Sequence, residues 1–507
     1  MSLGPRLGQA RRDRLIVAGF LGGLALVRSG TVQERDPYWQ ARAGLELLSG
    51  SPLAHPDTWS WAPVSGPFRQ TSPAWNVVLG LAWHFVGFAG IFLVTLVSIG
   101  SYLAVVLALS RRLRARALPG MAGLLLCIFA ALAMLSPRAA LVAETLFLAS
   151  VLAADRWAAW SVGRGVVRPA AGALLGSFVI GLAGNWIHLS WFLLTAAAML
   201  ASAAVWWLRE GLSRASRAAL TAASTIGFAG GALLGPYGLG AWADSERVQR
   251  ACAGIVKEWM SPWTPGLQAR WVVPCVLAVG IGAVWVLWLL LTRRGSDGDD
   301  RLPVVAALAV VGVPAALGGV FVIRFIGIAL LCMAPLAAVS VTVAVDRIRL
   351  RARGARSGVL AHPRIRHWLT GEPWRVALPV VLVLLLPGLA LGVWPLARPL
   401  PEARLAWALP VGCHLFSEGS TAGAVLLLRP DVKVWVDGRA DYYGPDRNIE
   451  AEYLLAHDRP DRLVPNGTTC VMLTDPFSKG LRLALDASPA WRRAASSGAA
   501  AVWVPAP

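Results

Sequence analysis

Two aspartates stand first among the residues able to do chemistry. Asp36 and Asp57 each lie beside a proline and within two residues of an aromatic side chain, in D-P-Y-W-Q at 36–40 and H-P-D-T-W-S-W at 55–61. Proline restricts its own backbone and that of the residue before it, so these carboxylates are held in place and do not wave in solvent. Both fall in a polar stretch, residues 33–75, that joins two apolar segments. Ordinary connections run to about 4–6 residues, and the aromatics Tyr38, Trp39, Trp59, Trp61, Phe68 and Trp75 argue against disorder here. The expectation is a catalytic loop lying on a membrane surface, with Asp36 at its centre.

Other ionisable or polar candidates flank apolar runs on what reads as the same side. His55 and Arg69 share the first loop, Arg138 follows a proline, and Asn185 and His188 interrupt a hairpin. Lys257 and Glu258 lie in a second long loop, and Arg324 stands at the end of another run. Polar and ionisable groups near membrane depth are costly and mark functional cavities. Arginines at span ends also snorkel to headgroups, so both readings stand for Arg138 and Arg324, and His188 fits a self-satisfied hairpin equally well. The run V-D-G-R-A-D-Y-Y-G at 436–444 reads in two ways as well. Asp437 and Arg439 pair for structure at a tight turn, or they line an acceptor surface together with Asp441.

The elements that must position these groups follow from composition. Of 507 residues 56% are hydrophobic and only 15% charged, which indicates a polytopic helical membrane protein. The formal charge of +19 resides in short arginine-rich segments beside apolar runs, the positive-inside pattern, and so excludes nucleic acid as the partner. About eleven spans are expected. They are Leu15–Val32, Ala89–Leu109, Leu118–Leu135, Ala139–Ala154, Ala170–Ala183, Leu189–Leu208, Ala218–Leu234, Trp271–Leu291, Leu302–Val322, Phe325–Val345 and Val376–Pro395. Ala74–Phe88 reads as an amphipathic helix on the surface. The N-terminus is then cytoplasmic, and residues 1–395 form the membrane domain.

From 396 to 507 short β-branched runs alternate with helical segments, which predicts a small extracytoplasmic α/β domain with a mainly parallel sheet. Cys413 and Cys470 each adjoin a predicted strand on the side where disulfides persist, so a bridge is expected if those strands are neighbours. No C-x-x-C pair occurs. The glycine-rich turn at 419–423 carries no nucleotide fingerprint.

In order along the chain, D-P-Y-W-Q at 36–40, Gly44, P-D-T-W-S-W at 56–61, N-W-I-H at 185–188, G-P-Y-G-L-G at 235–240, E-W-M-S-P at 258–262, R-F-I at 324–326 and V-D-G-R-A-D-Y-Y-G at 436–444 resemble the GT-C membrane glycosyltransferases. More narrowly, they resemble a mostly unassigned bacterial GT-C-like group with a C-terminal outer domain. The resemblance implies a plasma-membrane enzyme that transfers a sugar, with inversion, from a polyprenyl-phosphate donor to an extracytoplasmic glycan, lipid or protein acceptor. Asp36 is then the base, Asp57 or His55 orients the acceptor or shares its proton, and Arg138 and Arg324 clamp the carrier phosphate, with Lys257 a third cation for it. The first loop offers a single acid where the usual pattern has paired acids, and Gln40 where a histidine is usual. That argues against a divalent metal, and no other cofactor is implied. Two competing readings are a transporter or flippase of a lipid-linked glycan and a non-catalytic envelope-assembly protein. A transporter needs functional charges at the bilayer midplane, whereas these candidates lie on one side.

Overall fold

The computed structural model describes residues 4–31, 34–253, 256–292, 299–354, 400–457, 461–474, 478–498 and 500–507. Its helices follow the apolar runs. They begin with α1 (Gly4–Thr31), α2 (Asp36–Leu48), α3 (Pro73–Val86), α4 (Phe88–Arg112), α5 (Ala117–Ala130) and α6 (Ala139–Ser161). They continue with α7 (Val167–Ile187), α8 (Trp191–Leu208), α9 (Arg214–Leu233), α10 (Gly240–Cys252), α11 (Gln268–Thr292), α12 (Leu302–Gly319) and α13 (Ile323–Gly354). Between α2 and α3 lies a short antiparallel ribbon, β1 (Ala54–His55) against β2 (Phe68–Arg69).

Among the described residues six helices are long and apolar enough to cross a membrane: α4, α7, α8, α11, α12 and α13. Four more expected spans coincide with α1, α5, α6 and α9. Of these α5 is only 14 residues long, and α6 carries Glu144, Asp155 and Arg156 along its length. The eleventh expected span, Val376–Pro395, and the domain boundary beside it lie outside the described residues. The bundle buries one shared apolar core that runs from Val17 and Phe20 in α1 to Ala338 in α13. At its lower end the basic segments pair with acids: Arg112 with Asp155 at 2.6 Å, Arg114 with Asp300 at 2.9 Å and Arg116 with Asp346 at 2.6 Å.

The upper end differs from a simple loop. Residues 36–48 are helical because Asp36 opens the first turn, where an acid suits the helix dipole, and Pro37 follows it, where a missing N–H does no harm. Thirteen residues make a helix of roughly 20 Å, too short to span a bilayer, and α2 lies across the bundle end. It crosses α3 at Gly44, where any Cβ would meet the Asn76 carbonyl oxygen at 1.8 Å. The expected surface helix is α3. It buries Trp75, Asn76 and Leu79 while leaving Leu81, Phe85 and Val86 exposed.

Residues 400–507 fold over a five-stranded sheet of β3 (His414–Ser417), β4 (Lys433–Val434), β5 (Cys470–Leu473), β6 (Trp491–Ser497) and β7 (Ala500–Pro505), in the order β4-β3-β5-β7-β6. The expected parallel sheet is only half right. β4, β3 and β5 are mutually parallel, but β7 runs antiparallel to β5, and β6 and β7 form a hairpin. A tight hairpin requires antiparallel strands, whereas each parallel step here needs a crossover helix. Cys413 and Cys470, at the starts of the neighbouring strands β3 and β5, are joined in a disulfide.

The first loop is stitched to this sheet. Val434 N–H donates to the Trp59 carbonyl at 2.9 Å, Trp61 N–H donates to the Val434 carbonyl at 3.1 Å, and the Trp61 ring stacks on His414 at 5.2 Å. Gly423, on the helix Gly419–Leu428, packs against the Arg35 carbonyl and the Trp39 backbone, so α2 is held between α3 and the outer sheet domain.

Candidate functional site

The upper end gathers charges from four separate parts of the chain. Arg138, the residue before α6, lies at the centre. Its Nε–H donates to Glu34 at 2.8 Å, a second nitrogen donates to Glu258, and Asp36 Oδ2 lies 4.0 Å away. Arg324, in the first turn of α13, reaches the other oxygen of Glu258 at 3.5 Å and covers the Trp259 ring at 5.0 Å. Glu258 is therefore the shared counter-ion of two arginines. Trp39 Nε1–H donates to Asp36 Oδ1 at 3.3 Å, which fixes the carboxylate from one side.

The surroundings tune these groups in opposite directions. Asp36 keeps 34% of its side chain exposed, in a recess bounded by Trp39, Arg138 and Gly438. Burial, then the negative charge of Glu34, pushes its pKa up to about 6 against the pull of Arg138. Glu258 moves the other way. Burial opposes its charge, but Arg138 and Arg324 prevail and hold its carboxyl below the usual carboxylate range. Burial drives His188 down to about 3, with Arg324 and Arg138 adding to the effect, so it is a neutral imidazole. Its Nδ1 accepts from the Ser190 N–H at 3.0 Å, which leaves the proton on Nε2.

The other expected site residues divide. Lys257 lies exposed on the turn beside Glu258. Asn185 is buried and donates to the Gly181 carbonyl at 2.8 Å within α7. Asp57 does not face the recess. It accepts from Arg439 at 3.0 Å and from the backbone N–H groups of Trp59 and Ser60 at 3.1 and 3.3 Å. Arg439 also grips Asp437 at 2.6 and 2.8 Å, and Tyr443 donates to Asp437 at 2.9 Å. The side chains of Arg439, Asp57 and Asp437 have 0% exposure, and the guanidinium is packed against Trp59 at 4.2 Å and Phe68 at 4.7 Å. This closed group leaves Asp57 no route to an acceptor, so the expectation that it shares the proton gives way to a lock between the first loop and the outer domain. Of the two readings of the 436–444 run, the structural pairing holds for Asp437 and Arg439. His55 packs edge-on against Phe68, and Arg69 pairs with Asp244 of α10 at 2.8 Å.

Some groups escaped the sequence reading. Glu34, two residues before Asp36, is one of them. Glu144, buried in α6 with Oε2 lacking a hydrogen-bond partner among the described residues, lies within electrostatic reach of Arg324 and Glu258. The signal was available, since an acid inside an apolar run is unusual. Gly438 was passed over inside its motif, yet a Cβ there would lie 2.5 Å from Trp39 Nε1 and 2.9 Å from Asp36 Oδ1. The outer domain thus forms part of the recess wall. Among the described residues no group of three or more His, Cys, Asp or Glu is placed to hold a metal ion, and Glu34, Asp36 and Glu258 converge on Arg138 instead.

No protein-family model and no curated protein matches the chain. Solved structures do. ArnT from Cupriavidus metallidurans, bound to undecaprenyl phosphate, superimposes with a TM-score of 0.51 at 14% identity, covering 99% of this chain and 98% of that one. The Archaeoglobus fulgidus oligosaccharyltransferase, tethered to an acceptor peptide, gives a TM-score of 0.52 at 11% identity over 90% of this chain and 68% of that one. The chain therefore shares its fold with these two proteins.

Proposed function

We propose that the chain is an inverting glycosyltransferase of the plasma membrane that moves a sugar from a polyprenyl-phosphate donor to an acceptor hydroxyl outside the cell. The observation that carries this is a partly exposed acid, Asp36, 4.0 Å from Arg138, which shares the loop carboxylate Glu258 with a second arginine, Arg324. The carrier phosphate displaces Glu258 and takes bidentate hydrogen bonds from the guanidinium groups. The acceptor oxygen attacks the anomeric carbon from the opposite face. As that bond forms, the bond to the phosphate oxygen breaks, its electron pair stays on the phosphate held by the arginines, and the acceptor proton passes to Asp36. A carboxylate raised to about 6 is basic enough to take that proton and still ionised at neutral pH.

The upper end then faces the outside, with about eleven spans, residues 1–395 in the membrane and 396–507 beyond it. The arginine-rich lower end supports this orientation. The likeness to ArnT supports an undecaprenyl-phosphate carrier. The test compares the native chain with Asp36→Asn in membranes supplied with labelled polyprenyl-phosphate sugars. Turnover is expected to fall by about 10²-fold or more with expression unchanged, and equal turnover removes Asp36 from the mechanism.

A further inference from the structure

A second ion group at the upper end contrasts with the closed lock around Arg439. Arg69 Nη2 pairs with Asp244 at 2.8 Å and its guanidinium lies over the Tyr237 ring at 4.6 Å. On the next turn of α10, Arg247 approaches Asp244 at 3.7 Å, donates to the Asp441 carbonyl at 3.2 Å, and stands 3.9 Å from the Asp441 carboxylate. Those two carboxylate distances are too long for hydrogen bonds. The Nε–H groups of Arg69 and Arg247 are themselves buried and have no hydrogen-bond partner among the described residues. Arg69 and Arg247 keep 36% and 39% of their side chains exposed, against 0% for Arg439. In one group every guanidinium nitrogen is engaged and the side chains are sealed. In the other the guanidinium groups are partly exposed, with Asp244 and Asp441 at 11% and 17% exposure beside them.

The open group begins at the recess. Asp441 is three residues after Gly438, which borders Asp36, so the chain between them spans at most about 11 Å. Cys252, at the end of α10, is within electrostatic reach of Asp441 on one side and of Arg324 and Glu258 on the other. Asp441, Arg247, Asp244 and Arg69 therefore form a connected strip of charges whose Asp441 end lies within about 11 Å of Gly438.

We infer that this strip binds the acceptor, and that the acceptor is a neutral, hydroxyl-rich carbohydrate chain. The inference rests on the transferase reading above and names its acceptor class. Each sugar hydroxyl both donates and accepts, which matches alternating carboxylates and guanidinium groups that have unengaged positions. A phosphate-rich acceptor gains nothing from a strip whose acids equal its bases in number. An apolar acceptor would leave those positions unpaired in a desolvated site.

The test is calorimetric titration of the purified full chain with a panel of neutral hexose tetrasaccharides and with a polar hexapeptide, for the native protein, Asp441→Asn and Arg247→Gln. Undecaprenyl phosphate is titrated in parallel. At least one tetrasaccharide is expected to bind the native chain and to lose about tenfold or more in affinity in each variant, the loss of a hydrogen bond to a charged group, with undecaprenyl-phosphate affinity held within about twofold. Equal tetrasaccharide affinity in the variants, no tetrasaccharide binding at millimolar concentration, or binding of the peptide alone each overturns the inference. Either variant decides the matter should the other fail to fold. Failure of undecaprenyl phosphate to bind the native chain counts against the transferase reading, and the tetrasaccharide titration is then read by itself.

Discussion

Gly438→Ala tests whether the outer domain sets the position of the acid. Gly438 does not adopt a positive φ, so alanine meets no backbone penalty there and the effect is steric. The added methyl would lie 2.5 Å from Trp39 Nε1, 2.7 Å from Trp39 Cδ1 and 2.9 Å from Asp36 Oδ1. Ordinary contact needs about 3.5 Å, so one side must give by roughly 1 Å. Trp39 is 8% exposed and wedged among Ala43, Phe68 and the outer sheet, whereas Asp36 opens onto the recess. The two nearest contacts are with the Trp39 ring, so the ring or the Gly438 backbone must shift as well as the carboxylate, and the 3.3 Å hydrogen bond that fixes Asp36 is lost. Overpacking of this kind costs about 1–3 kcal/mol in stability. A misplacement of about 1 Å at a reacting group lowers turnover by about 10²-fold. The assay is turnover on labelled polyprenyl-phosphate sugars beside undecaprenyl-phosphate binding and thermal unfolding on the same preparation. Turnover is expected to fall with carrier binding retained. Native turnover, or a loss no larger than the unfolded fraction accounts for, refutes the placement of Asp36 by the outer domain.

Three further outcomes follow from the same geometry. The acid must be ionised to accept a proton, so kcat/KM should rise with pH through an inflection near 6, set by the raised pKa of Asp36; an inflection at the ordinary carboxylate value of about 4 would contradict the recess. Glu258→Gln removes the carboxylate competing for Arg138 and Arg324. It should tighten undecaprenyl-phosphate binding by about tenfold, the worth of one charge-assisted contact, and unchanged or weaker binding would show that Glu258 does not occupy the phosphate position. Arg439→Met leaves Asp57 and Asp437 buried without their counter-ion, which should cost about 3–5 kcal/mol and expose residues 59–61 to limited proteolysis before the bundle unfolds; native-like protease resistance would refute the lock.

The bundle was legible because apolar runs of the right length have few alternatives, and α4, α7, α8, α11, α12 and α13 fall where those runs do. Asp36 was legible for a local reason, the proline and aromatics around it. Those same local signs singled out Asp57, and there they misled, because its fate depends on Arg439, 382 positions away. Local sequence shows that a carboxylate is held, not what holds it. α2 was hidden because Pro37 and Gly44 read as loop residues, while one is an N-terminal helix residue and the other makes room for α3. The pairings of Arg138 with Glu34 and Glu258, 104 and 120 positions apart, belong to topology alone.

On the proposed function, exchange of one anion for another would let the two arginines tolerate a ligand-free state. An unpaired guanidinium in a desolvated site is costly, and removing one partner of a buried pair destabilises by about 3–5 kcal/mol. Glu258 answers that need from a short turn, Lys257–Trp259, whose register is set by the backbone bonds from Trp259 N–H to the Val256 carbonyl and from Met260 N–H to the Lys257 carbonyl, and by the Trp259 ring under Arg324. On the proposed function a carrier phosphate would replace one charged oxygen pair with another, so the arginines would not be stripped of partners. A fixed hydrophobic plug over the arginines would have made them too costly to bury, and an acid locked onto both of them would have excluded the phosphate. A displaceable acid on a loop avoids both.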